Sequence, residues 1–289
     1  MKKAFVYIIL AGVLWGTSGL FVNHLAPIGF SSLQMTAVRG IVSTLCLALY
    51  LFLKDKNLFK ITKHQLLLTS LSGFGMFGTA ASYYASMQAS SVSTAVVLMY
   101  TAPIYITIYS VMFFGEKMTP LKTLAITLML IGCGLVSGIV GGFKFSIAGI
   151  LLGFLSGIAY GAYNIFTKME MREDINPLTA TFYCFFFMML SAVVTSNPPQ
   201  FISIIASDPV KIIPLFIFMG LCTAVTPYFL YTLALKKLPA GTASALGIVE
   251  PMAATLYSVV FLHEPLSLPS LCGIILILGS VFLLSRSKE

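Results

Sequence analysis

The chain has 289 residues, of which 58% are hydrophobic and 9% charged. A soluble globular domain carries about a quarter charged residues, so this balance excludes one. The net charge of +8 raises the possibility of nucleic acid, but most basic residues sit in short loops between apolar runs, the pattern of membrane orientation. Taken in order, the apolar runs fall at about 4–23, 32–53, 65–86, 93–114, 121–140, 147–168, 177–195, 212–235, 242–262 and 269–285. Each is close to the roughly 20 residues that a membrane helix needs. The runs are continuous, unlike the ten-residue alternation of barrel strands, so helices are predicted. Lys2-Lys3 followed by Ala4 to Phe21 reads as the first span; its apolar stretch is too long for a signal sequence and lacks a clean cleavage site.

With the N-terminus placed in the cytoplasm, the inner segments hold fourteen Lys and Arg, including Lys54, Lys56, Lys168, Arg172, Lys236 and Lys237. The outer loops hold two, Lys144 and Lys211, and Arg39 lies inside a span. This asymmetry predicts an even number of spans and both termini in the cytoplasm. The five cysteines all lie in apolar runs, without the paired spacing of a metal or redox site. No metal site and no cofactor are expected.

The two halves repeat. Tyr109-Ser110-Val111, Phe113 and Glu116 recur 148 residues later as Tyr257-Ser258-Val259, Phe261 and Glu264. The same offset pairs Thr94 with Thr242, Pro103 with Pro251 and Tyr83 with Tyr231. An offset of 145 pairs Gly12 with Gly157 and Gly16 with Gly161, and sets Trp15 against Tyr160. Five helices per copy is an odd number, so the copies have opposite orientation. The expected fold is all-α: ten transmembrane helices in two inverted five-helix repeats, 1–142 and 143–289, around a central cavity. Halves of this kind can exchange conformations and open a central site to each face in turn.

Leu14-Trp15-Gly16, Arg39, Pro103, Gly115-Glu116, Glu250-Pro251 and Glu264 together resemble the drug/metabolite transporter superfamily, in its EamA-type ten-helix group. The resemblance covers essentially the whole chain. His263-Glu264 departs from the more usual Gly-Glu. The resemblance implies a ten-helix basket with a cavity lined mainly by helices 1, 3, 4, 6, 8 and 9, and transport of small metabolites, often export of amino acids or drug-like amphiphiles.

Residues were singled out by what they cost or offer in a membrane. Gly149, Gly153, Gly157 and Gly161 recur every fourth residue on helix 6, with Gly12 and Gly16 on helix 1 and Gly134 and Gly138 on helix 5; such a face favours close helix packing. Pro103, Pro227 and Pro251 lie within spans as candidate hinges, freeing carbonyls near Met99, Thr223 and Gly247. Arg39 and Glu250 are each expected about 12 Å deep. Three readings of Glu250 stay open: an ion pair with Arg39, a site for a cationic group or coupling proton, and a neutral hydrogen-bonded acid. Glu264 is a second candidate partner for Arg39. Glu116 and Glu264 read as turn anchors, and His24 and His263 as outer-loop residues. Trp15, Tyr100, Tyr160, Asn164, Tyr228 and Tyr231 are expected, with Glu250, to line a substrate site; Tyr83, Tyr84 and Tyr163 lie in helices that the resemblance also places around the cavity, and Tyr83, Tyr84 and Tyr231 are close enough to helix ends to belong to an interfacial belt instead.

The resulting expectation is a secondary transporter in the cytoplasmic (inner) membrane. It moves a small amphipathic metabolite, an amino acid or drug-like solute, in the export direction by alternating access, with protons as a candidate coupling ion. No Gly-x-x-x-x-Gly-Lys loop occurs, so direct nucleotide hydrolysis is not expected. The alternative is a membrane-embedded enzyme acting on a lipid or isoprenoid substrate, which the absence of a His-x-x-x-His pair and of intramembrane Asp disfavours. A sensor without flux is the third class.

Overall fold

The computed structural model describes residues 2–89, 95, 98–115, 117–136, 146–239, 242–243, 246–247, 249–261 and 268–286. Thr94, Glu116, Gly138, Lys144, His263, Glu264 and Lys288 lie outside the described residues. Within them the chain is helical, with no strand. Thirteen α-helices are defined: α1 (Lys2–Gly16), α2 (Ser18–Leu25), α3 (Ser32–Lys54), α4 (Lys63–Ala89), α5 (Ala102–Phe114), α6 (Pro120–Val136), α7 (Ile147–Arg172), α8 (Pro177–Thr195), α9 (Pro198–Ser207), α10 (Pro209–Gly220), α11 (Thr226–Leu235), α12 (Val249–Phe261) and α13 (Leu268–Arg286). A π-helical turn, Leu221–Val225, joins α10 to α11.

The starts of these helices follow from local chemistry. Ser31 accepts from the backbone of Gln34 while the Gln34 side chain accepts from the backbone of Ser31, a reciprocal cap that opens α3. Ser146 caps α7 through the amide of Gly149. Asn176 and Pro177 open α8. Five segments are long and apolar enough to cross a membrane: Lys2–Ile28, Ser32–Lys54, Ile147–Arg172, Pro177–Thr195 and Pro209–Leu235. The chain is an integral membrane protein. α4 is long enough to cross, its 27 residues rising about 40 Å, but six Ser and Thr in it lower its hydropathy and it falls outside that group. Its hydroxyls turn inward onto backbone carbonyls; Thr69 and Thr79, for example, each donate four residues back.

Several continuous runs expected from the sequence are broken. The first parts at Thr17, where the Thr17 hydroxyl donates to the Leu14 carbonyl at 2.6 Å and Ser18 to that of Trp15. In the fourth run Tyr100 and Thr101 form a turn before α5 begins. In the ninth, Gly247 forms a turn before α12 begins. In the eighth the π turn precedes Pro227. Pro103 therefore stands in the first turn of α5, where a missing N–H costs nothing, whereas Pro227 follows the π turn within continuous helix and withholds an amide from the turn before it. Pro251, third residue of α12, sits equally early. Between α8 and α10, read as a plain loop, α9 lays Phe201 against Phe30 and Phe216, closing one end of the bundle.

The main helix contacts pair α4 with α7 and α8, α1 with α11 and α12, α3 with α8 and α10, α5 with α7, and α6 with α13. Glycines set the closest approaches. A Cβ built on Gly12 would stand 3.0 Å from the Val249 Cβ and 3.2 Å from the Glu250 amide, so α1 rests directly on the start of α12. One built on Gly157 would stand 2.8 Å from the Leu98 carbonyl and 3.1 Å from Thr101 Oγ1, so α7 rests on the turn that precedes α5. Of the glycine rows expected to be packing faces, Gly12, Gly16, Gly153 and Gly157 meet other segments this closely.

Candidate functional site

A cavity lies among α1, α3, α4, α7, α8, α11 and α12. α1 and the residues after it supply Trp15 and Ser18; α3 supplies Arg39. α4 supplies Met76, Thr79, Ala80, Tyr83 and Tyr84, which share one face at the i, i+3, i+4, i+7 spacing. Met99, Tyr160, Met188, Tyr228 and Glu250 complete the wall. Its volume is about 50 Å³; on a measure where one water needs ~10–15 Å³ it holds a few waters, and the wall is contracted.

Both embedded charges reach this cavity. Arg39 is buried, and its two terminal nitrogens are used: Nη1 donates to the Tyr84 hydroxyl at 3.4 Å and Nη2 to the Thr223 carbonyl at 3.0 Å. That carbonyl is one turn before Pro227, and the proline ring leaves it without an amide to accept from. The guanidinium also lies 6.0 Å from the centre of the Tyr228 ring. Glu250 is in the first turn of α12, where the helix dipole favours a carboxylate. The break at Gly247 places it at a helix start rather than mid-helix as the continuous run implied. Its Oε2 accepts from the Tyr100 hydroxyl at 2.6 Å. Arg39 and Glu250 border the same cavity without a salt bridge: each is hydrogen-bonded to other groups instead.

The aromatic residues meet around Tyr228. Its ring centre is 4.9 Å from that of Trp15, 5.8 Å from Tyr163 and 5.4 Å from Phe185, all edge-on. Trp15 also lies 5.4 Å from Tyr231. Tyr231 donates to Asn164 Oδ1, and Asn164 Nδ2 donates to the Tyr160 carbonyl at 2.7 Å. Thus Trp15, Tyr160, Tyr228 and Glu250 face the cavity, while Tyr100, Asn164 and Tyr231 stand behind it and brace those that do. Two buried donors at the cavity, Trp15 Nε1 and Arg39 Nε, have no hydrogen-bond partner. The residues that sequence reasoning did not select are Ser18, Met76, Thr79, Ala80, Met99 and Met188. The α4 group among them carried a helical-face spacing that could have found them. Among the described residues no three His, Cys, Asp or Glu gather as a metal site.

A helical membrane protein whose broken helices meet at a small, charged and aromatic chamber is built as a transporter is built. The sequence matches the model of the EamA-like transporter family over residues 2–138 and again over 147–286, and the chain belongs to that family. It is 29% identical over 286 residues, 99% of this chain and 97% of the relative, to an uncharacterized transporter of Archaeoglobus fulgidus. It is 25% identical to the uncharacterized inner membrane transporter YicL of Salmonella typhimurium, over 100% of this chain and 97% of that one. A crystal structure at 18% identity shares the fold, with a TM-score of 0.80 over 98% of this chain and 96% of its own.

Proposed function

We propose that this EamA-family chain is a secondary transporter with ten crossings in two inverted repeats, 1–142 and 143–289. It lies in the cytoplasmic membrane with both termini inside, and exports a small amphipathic solute by alternating access. The repeat reading rests on matched contacts. Under the two offsets, Gly12 against Val249 becomes Gly157 against Thr101, and Gly16 against Ala253 becomes Gly161 against Tyr105; both glycine pairs meet those partners. The helix pairings follow suit: α1 with α11 mirrors α7 with α4, and α1 with α12 mirrors α7 with α5. The second pair is unequal. A Cβ on Gly16 would stand 2.8 Å from the Ala253 Cβ, whereas one on Gly161 would stand 4.0 Å from the Tyr105 Cβ. One seam is shut and its counterpart looser, as halves caught in different conformations would be.

The single observation that carries the substrate class is the sorting of polar groups around the cavity. Unpartnered donors on Trp15 and Arg39 suit a carboxylate; the Glu250 carboxyl suits an ammonium group. The Tyr160, Tyr228, Met76 and Met188 walls suit an apolar side chain. A zwitterionic amino acid combines all three. The Pro103, Pro227 and Pro251 helix starts serve as hinges, and Glu250 carries a coupling proton. The test is flux of radiolabelled neutral amino acids from proteoliposomes with and without an imposed pH gradient. Saturable flux that Glu250→Gln uncouples from the gradient supports the reading. Protein that folds, yet carries no amino acid, amine or drug-like cation, refutes it.

A further inference from the structure

A second acid lies outside the central cavity. Glu170, two residues before the end of α7, is 1% exposed. Its Oε1 has no hydrogen-bond partner, and neither has Oγ1 of Thr167, 2% exposed and three residues earlier on the same helix face. Both border a pocket of about 10 Å³ that Thr181 and Cys184 of α8 and Thr232 of α11 help to enclose. On the side of α4, Ser72 stands against the carboxyl while donating to its own Thr69 carbonyl at 3.0 Å. Tyr163 and Tyr228 are the other titratable groups at the wall, and Met76 is the residue that α4 presents to it.

The two remaining hydroxyls define what the pocket accepts. Thr181 Oγ1 donates to the Pro177 carbonyl and Thr232 Oγ1 to the Tyr228 carbonyl, each at 2.7 Å. Thr181 Oγ1 also donates to Thr232 Oγ1 at 3.3 Å, sharing its one proton with the Pro177 carbonyl, so each hydroxyl keeps a lone pair for a ligand. The cations nearest in sequence are directed elsewhere: Lys168 donates to the carbonyls of Leu235 and Leu238, and Arg172 to that of Phe114. The pocket is rich in oxygen, has no cationic side chain among the described residues that line it, and has room for about one water-sized body.

We infer that this pocket binds a monovalent metal cation of about sodium's size, held by the Glu170 carboxylate with the hydroxyls of Thr167, Thr181 and Thr232. Hard cations take oxygen ligands. One carboxylate balances one positive charge, and a divalent ion would leave an uncompensated charge in a dry interior. Met76 and Tyr228 border both this pocket and the central cavity, so the ion touches the wall that moves; that it couples to flux rests on the transporter reading above, whereas its binding does not.

The test is thermal unfolding of the purified full chain in NaCl, KCl and choline chloride at equal ionic strength and at two pH values. NaCl is expected to raise the apparent Tm saturably over choline chloride, because an ion that binds the folded state stabilises it by mass action. Glu170→Gln, similar in shape but uncharged, abolishes the rise. Thr181→Val raises the half-saturating sodium concentration about tenfold or more. Salts that do not differ, or a rise that survives in Glu170→Gln, overturn the site. A stability that follows pH and ignores sodium assigns the pocket to a proton and overturns the metal. Should Glu170→Gln fail to fold, an unchanged half-saturating concentration in both Thr167→Val and Thr181→Val is the overturning result. Sodium stabilisation in protein that carries no solute upholds this site and counts against the transporter reading alone.

Discussion

Gly16 and Gly161 are paired by the 145-residue offset of the sequence repeat, and an alanine at each is expected to have opposite consequences. At Gly16 the new Cβ stands 2.8 Å from the Ala253 Cβ and 2.9 Å from the Ala254 amide nitrogen. Carbon atoms rest at about 3.5–4.0 Å, so the overlap is roughly 1 Å. Ala253 has no rotamer to change and the amide is backbone, so α1 and α12 must part. Overpacking of this kind costs about 1–3 kcal/mol. At Gly161 the nearest atom is Ile106 Cγ1 at 3.8 Å, an ordinary contact. There alanine gains about 0.5–1 kcal/mol through reduced backbone freedom in the unfolded helix. The two variants should therefore differ by about 1.5–4 kcal/mol, with Gly16→Ala unfolding several degrees earlier in detergent and Gly161→Ala at or above the parent. Flux is the second readout: under the proposed alternating access Gly161 would take the crowded position in turn, so both variants are expected to slow turnover although one is stable. Equal thermal shifts, or a stable Gly161→Ala with undiminished flux, would refute the reasoning.

Tyr100→Phe removes the donor to Glu250 and should cost about 1.5–3 kcal/mol where the carboxyl is charged, read as a lower unfolding midpoint, with a changed pH dependence of flux. Arg39→Met leaves the Thr223 carbonyl without a donor and is expected to lower stability by about 1–3 kcal/mol; Arg39→Lys should restore only part, because an ammonium lacks the fork that serves Tyr84 and Thr223 together. Ser31→Ala opens the reciprocal cap of α3 at a loss of about 0.5–2 kcal/mol, without effect on solute affinity; hydrogen exchange confined to the first turn of α3 would check it.

Much of the site could be read in the residues, for stated reasons. Pro227 implied a free carbonyl near Thr223, and Arg39 uses it. Gly12, Gly16, Gly153 and Gly157 imply close approaches, and the atoms they meet include backbone at Glu250, Ala254 and Leu98 and side chains at Val249, Ala253 and Leu98. The breaks were harder, because hydropathy counts Tyr100, Gly247 and the Leu221–Val225 turn as unbroken apolar chain; a glycine, or a proline three or four residues on, does not say whether a helix bends or starts afresh. Helix 2 is not among those that the resemblance places mainly around the cavity, yet α3 brings Arg39 to its wall. Glu170 escaped notice because Lys168, Arg172 and Glu173 around it look like a charged helix end at the membrane surface; its burial depends on α4, α8 and α11, which no local window contains. Glu250, a rare acid in an apolar run, borders the cavity, but a continuous helix from 242 misplaces it, because α12 begins at Val249.

The π turn at Leu221–Val225 has a further mechanical consequence. A widened turn inserts one residue into the helical register, and each residue of register is worth about 100° of rotation. Moving the insertion past Tyr228 and Tyr231 would swing these rings around the helix axis without breaking more than a turn's worth of backbone bonding. A screw motion in one strut, rather than the tilting of a whole half, would then be enough to take the Tyr228 ring out of the chamber wall.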